Sequence, residues 1–256
     1  MMPNNQPQNK VSPIYLLPNM ITLGAMFCGF YAIIQSINDS FIVSGVAILF
    51  AMILDSLDGR VARLTGTSSP FGAELDSLSD MVNFGVAPAV IAFNWQLYTL
   101  GKFGWLVAFI FSACAALRLA RFNTMLAVND KRYFTGIPSP AGAALVVGYV
   151  YMCANYNLHN LFFTILGAGV ILVAAFSMVS NIKFYSFKEF NFHRTAKFRA
   201  LILFVIALSL LTIWPDFVIY GFFIAYTFSG YALSVTRILK ARKLKNTHAD
   251  LESDPE

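Results

Sequence analysis

Charge is what this sequence has least of. Of its 256 residues, 12% are Asp, Glu, Lys or Arg and 57% are hydrophobic, and the mean hydropathy is +0.64. Soluble domains carry about a quarter charged residues, so a water-soluble globular fold is excluded. Cysteine is nearly missing too: Cys28, Cys114 and Cys153 stand far apart without metal-ligand spacing and read as small apolar residues. His159, His193 and His248 are isolated and suggest no site. The strict alternation of a membrane β-strand is absent, and so is any internal repeat.

Long apolar runs take the place of what is lacking. Eight reach or approach the ~20 residues that cross a bilayer as a helix: about 14–37, 41–64, 71–96, 103–124, 139–157, 160–180, 199–214 and 216–238. They predict an all-α, polytopic transmembrane bundle of about eight spans, residues 13–243. A disordered N-terminus (1–12) and a polar tail (244–256) flank it. Pro18 and Asn19 are expected to interrupt the start of the first span, and Pro88 to bend the third. The first run has only Lys10 before it and no A-x-A-like site, so it reads as a retained span. With a cytoplasmic N-terminus, every Lys and Arg except Lys102 falls in cytoplasmic segments or at cytoplasmic helix ends. That bias places both termini and the loops 125–138 and 181–198 on the cytoplasmic side. The net charge of +5 then suits an anionic leaflet and membrane lipids as partners, and nucleic acid is not expected.

Carboxylates inside apolar runs are expensive and mark function. The second run carries ILDSLDGRVAR and the third FGAELDSLSD. Asp55, Asp58, Gly59 and Ala62 share one helical face, and Gly72, Asp76 and Asp80 share another. The short connection at 65–70 makes the two helices antiparallel neighbours. Asp58 then lies level with Asp76, and Asp55 with Asp80. Four carboxylates crowded in a low dielectric repel unless divalent cations neutralise them, and an all-oxygen set suits Mg²⁺ or Mn²⁺. Such ions bind phosphate esters, for which Gly59, Ala62 and Gly72 leave room and Arg63 supplies charge at the cleft mouth. Two other readings stand beside this one: acids paired with nearby arginines as bundle glue, or an ion pathway through a transporter. Asn19 and Thr22 suit nucleotide contact or helix capping. Arg118 and Arg121, three apart, suit an acceptor carboxylate, or membrane anchoring and lipid phosphate.

The pattern Asp55-x-x-Asp58-Gly59-x-x-Ala62-Arg63, eight residues, then Gly72-x-x-x-Asp76-x-x-x-Asp80, resembles the signature of the CDP-alcohol phosphotransferase family at every fixed position. The resemblance implies two divalent metals held by Asp55, Asp58 and Asp76. It implies that Asp80 is the general base close to them, and that Gly59, Ala62, Arg63 and Gly72 line the cytidine-diphosphate site. It also implies a homodimer. Segments 17–30, 116–123, 134–144 and 178–190 are similar to the integral-membrane phosphatidylserine synthase branch. That likeness implies CDP-diacylglycerol and L-serine as substrates in the cytoplasmic membrane of a prokaryote, with the site facing the cytosol. Glycerol 3-phosphate and inositol phosphate are the alternative acceptors.

Overall fold

The computed structural model describes residues 16–125, 133–185, 213–214 and 216–232. The chain forms helices α1 (Leu16–Ile37), α2 (Phe41–Leu64), α3 (Pro70–Asp80), α4 (Ala87–Trp95), α5 (Lys102–Met125), α6 (Ser139–Asn155) and α7 (Leu161–Val179). A further helix runs over 216–232. Four of them, α1, α2, α5 and α7, are long and apolar enough to cross a membrane. Their outer faces carry exposed Phe27, Phe30, Phe50, Phe109, Phe162 and Phe176, which only a lipid solvent accommodates at this density. The protein is an integral membrane protein built on helices.

Packing inside the bundle relies on small residues, as expected where lipid removes the hydrophobic drive between helices. The buried face of α1 is Pro18, Thr22, Ala25, Gly29, Ala32 and Ser36, a strict i, i+4, i+7 stripe. It meets Ser44, Ala47, Ile48 and Ala51 of α2, and Ser44 Oγ donates to Ala32 O at 2.9 Å. Pro18 does not interrupt α1. It sits in the first turn, where the missing N–H leaves no intrahelical bond unmade.

The third apolar run is helical without a break over Pro70–Trp95, but it is not α-helical throughout. A π-helical turn, Met81–Val86, separates α3 from α4, and the Ala87 N–H reaches back to Val82 O. Pro88 follows within the first turn of α4. A proline there cannot bond, and its ring crowds the carbonyl four residues earlier. The strain is therefore relieved upstream by widening, and Ser112 Oγ donates to Gly85 O at 3.0 Å within the widened turn.

One element departs from an all-helical reading. Strands β1 (Tyr133–Thr135) and β2 (Lys183–Tyr185) pair antiparallel, with Phe134 opposite Phe184. The ribbon is continued by Gly136 N to Ile182 O and Ile137 N to Ser177 O, at 2.8 and 3.0 Å. Gly136 has φ +82°, and a Cβ there would run into Met178 O, so only glycine serves. The two loops expected on one side of the membrane are thus joined to each other. The terminal segments 1–12 and 244–256, and the seventh run apart from residues 213 and 214, lie outside the described residues.

Candidate active site

The acidic cluster is assembled by two helices, α2 and α3. Ser69 caps α3, accepting from Gly72 N at 3.0 Å with Pro70 next in line, so the helix begins sharply after the turn. From this start Asp76 and Asp80 project toward Asp55 of α2, and ligand oxygens of these three lie within 4.8 Å of one another. Oxygens about 2.1 Å from a Mg²⁺ can be about 4.2 Å apart at most. Three oxygens on one ion cannot all stand opposite one another, so the acids would have to draw closer than this limit to share it. Asp80 Oδ1 is buried and has no hydrogen-bond partner. An unpartnered buried carboxylate oxygen in a residue that belongs to a three-carboxylate cluster fits a divalent cation.

Asp58 stands to one side. It is 4% exposed and accepts a 2.6 Å hydrogen bond from Thr22 Oγ1 of α1. Together with Asp76 it lines a cavity of about 170 Å³. Asn19, Thr22, Gly59, Ala62, Arg63 and Gly72 line the same cavity. These are the six residues expected around a cytidine diphosphate. A Cβ at Gly59 would meet only Arg63 Nη1, at 3.8 Å, so that wall is open. A Cβ at Gly72 would crowd Asn19 Oδ1 at 3.1 Å and Ser69 Oγ at 3.2 Å. Asp76 belongs to both groups, and it joins the three-carboxylate cluster to the cavity.

The two arginines separate. Arg118 donates to the fully buried Ser139 Oγ at 2.6 Å and stacks on Phe122 at 5.4 Å. Its charge acts on Asp80, Asp55 and Tyr226, the last from the helix over 216–232. Arg121 points away, donating to Val179 O and to Asn181 Oδ1 at 2.6 Å, and ties α5 to the end of α7. Ser139 and Tyr226 lay outside the residues selected from sequence. Ser139 falls in the segment 134–144 whose pattern stood out. Tyr226 carries no sequence signal, being one aromatic among many on an apolar helix. Neither arginine donates a described hydrogen bond to an aspartate, and only the charge of Arg118 reaches the acids.

Acids gathered beside a cavity with Arg63 on its wall are an arrangement able to take a phosphate ester through divalent cations. The CDP-alcohol phosphatidyltransferase family profile matches residues 15–176. A CDP-diacylglycerol–serine O-phosphatidyltransferase of Helicobacter pylori strain J99 is 39% identical over 80% of this chain and 85% of its own. One of Bacillus subtilis strain 168 is 38% identical over 68% of this chain and 92% of its own. A third, from Methanocaldococcus jannaschii, is 43% identical over 54% of this chain and 61% of its own. The chain belongs to the CDP-alcohol phosphatidyltransferase family and is a transferase enzyme. An ion-transporter reading is thereby set aside.

Proposed function

We propose that the protein transfers the phosphatidyl group of CDP-diacylglycerol to the hydroxyl of L-serine, giving phosphatidylserine and CMP. The observation that carries it is the junction at Asp76 between the carboxylate cluster and the cavity. The names of its relatives support serine as acceptor.

The cavity would take the cytidine diphosphate, with Gly59 and Ala62 offering an open wall and Arg63 a positive charge. Asp55, Asp58, Asp76 and Asp80 would hold two Mg²⁺ or Mn²⁺ ions, whose chemistry is to neutralise the pyrophosphate and the departing CMP. Asp80, farthest along α3 from the turn at 65–70, takes the serine hydroxyl proton as that oxygen attacks the lipid-side phosphorus. The bond from that phosphorus to the CMP oxygen breaks, and CMP leaves. Arg118 holds the serine carboxylate beside Asp80, with Ser139 fixing the guanidinium. Arg121 is the lesser candidate, because its hydrogen bonds are already committed to α7 and Asn181.

Eight spans, cytoplasmic termini, a cytosol-facing site in the cytoplasmic membrane and a homodimer belong to the same proposal. The charge bias and the family resemblance support them. The deciding experiment is purified protein with CDP-diacylglycerol and, in turn, serine, glycerol 3-phosphate and inositol phosphate, monitored for CMP. Release only with serine is expected. Release with a phosphorylated acceptor and none with serine would reassign the acceptor.

A further inference from the structure

Behind the acids runs a buried polar chain that the reaction scheme does not use. Thr22 serves two partners at once: its hydroxyl donates to Asp58 Oδ2 at 2.6 Å, and its carbonyl accepts from Ser79 Oγ at 3.2 Å. Ser79 Oγ in turn accepts from Asn83 Nδ2 at 3.2 Å. Thr22, Ser79 and Asn83 are 4%, 1% and 0% exposed. Asn83 lies in the π-helical turn directly after Asp80, seated against Gly29, where any Cβ would collide with its Oδ1. That Oδ1 has no partner.

The arrangement is costly. An unpaired buried carbonyl oxygen destabilises, and π turns frequently fall at functional sites. An apolar side chain at position 83 would remove the first cost. What the chain accomplishes is a link between two halves of the site. Asp58 stands on α2, whereas Asp76 and Asp80 stand on α3, and both helices lean on α1. Thr22 is the point on α1 that touches both.

We propose that Ser79 and Asn83, acting through Thr22, are positioning residues that hold Asp58 in register with Asp76 and Asp80 and so set the affinity of the centre for divalent cations. The inference rests on the metal-centre reading above. Groups behind metal ligands typically change metal affinity 10–100-fold when removed. Ser79 and Asn83 act through Thr22, so the lower end of that range is expected.

The test is Mn²⁺ binding to the full-length protein in detergent without substrate, read from the free Mn²⁺ electron paramagnetic resonance signal. It is paired with thermal melting in the absence of metal. Ser79→Ala and Asn83→Ala should each weaken Mn²⁺ binding about tenfold, and leave the serine KM unchanged. Asn83→Ala also deletes the unpaired carbonyl, so its loss of metal affinity should not follow its melting temperature. Ser79→Thr, which keeps the hydroxyl, should bind Mn²⁺ better than Ser79→Ala. Parent-like Mn²⁺ affinity in both alanine variants would overturn the inference while leaving the metal centre intact. So would affinity losses in both that simply track lowered melting temperatures. If the parent protein binds no Mn²⁺, the metal-centre reading fails and takes this inference with it.

Discussion

Replacing Thr22 by valine removes one hydroxyl from a buried site and changes almost nothing else. Valine keeps the β-branched shape, so the packing of α1 against α2 and the helix itself are preserved. Pro18 O, 3.1 Å from the same hydroxyl, keeps its helical partner. Asp58, 4% exposed, loses a 2.6 Å hydrogen bond to a charged acceptor. Such bonds contribute about 1.5–3 kcal/mol. At 1.4 kcal/mol per factor of ten, that is roughly 10- to 150-fold. The loss falls on whatever depends on the placement of Asp58, which lines the cavity with Asp76. The assay is CMP release in mixed micelles with CDP-diacylglycerol titrated at saturating serine. The Thr22→Val kcat/KM for the lipid should fall within that range, and Thr22→Ser should stay close to the parent. A Thr22→Val enzyme with parental kcat/KM would refute the reasoning. Equal losses in Val and Ser would refute it as well, since the hydroxyl would then be irrelevant.

Asp80→Asn should lower kcat by about 10²–10⁴, the contribution of a general base. Binding of CDP-diacylglycerol should change far less, and equal loss of lipid binding would make Asp80 chiefly a ligand. Arg118→Ala should raise the serine KM roughly 10- to 150-fold by the same charge-assisted arithmetic. Arg121→Ala should instead lower the melting temperature, having cut α5 from Val179 and Asn181. A parental serine KM in Arg118→Ala would move the carboxylate site elsewhere. Gly29→Ala should cost about 1–3 kcal/mol by overpacking against Asn83, seen as a lower midpoint in detergent unfolding. Single cysteines in the 181–198 loop, in a cysteine-free background, should be labelled only from the cytoplasmic side of the membrane.

The sequence by itself determined the acidic centre. Spacing of three and four residues placed Asp55 with Asp58, and Asp76 with Asp80, on helical faces. Counting from the short turn at 65–70 set Asp55 beside Asp80 and Asp58 beside Asp76. The structure brings Asp55, Asp76 and Asp80 within 4.8 Å and puts Asp58 and Asp76 on one cavity wall. These relations are local, so helical periodicity carries them. Long apolar runs likewise announced the bundle, because a bilayer demands about twenty apolar residues wherever a helix crosses it.

Only the tertiary structure decided the rest. Arg118 and Arg121 share one stretch of α5 in sequence, yet one meets the acids and the other braces α7. That division depends on where α6 and α7 pack, and no periodicity within α5 records it. Thr22 read equally as a nucleotide contact or a cap; it lines the cavity, and its hydroxyl donates to Asp58, 36 positions away. The ribbon joins strands about fifty residues apart, a pairing that leaves no local mark in either loop. Pro88 announced a disturbance but not its place. The widening falls at Met81–Val86 because the proline ring acts on the carbonyl one turn earlier.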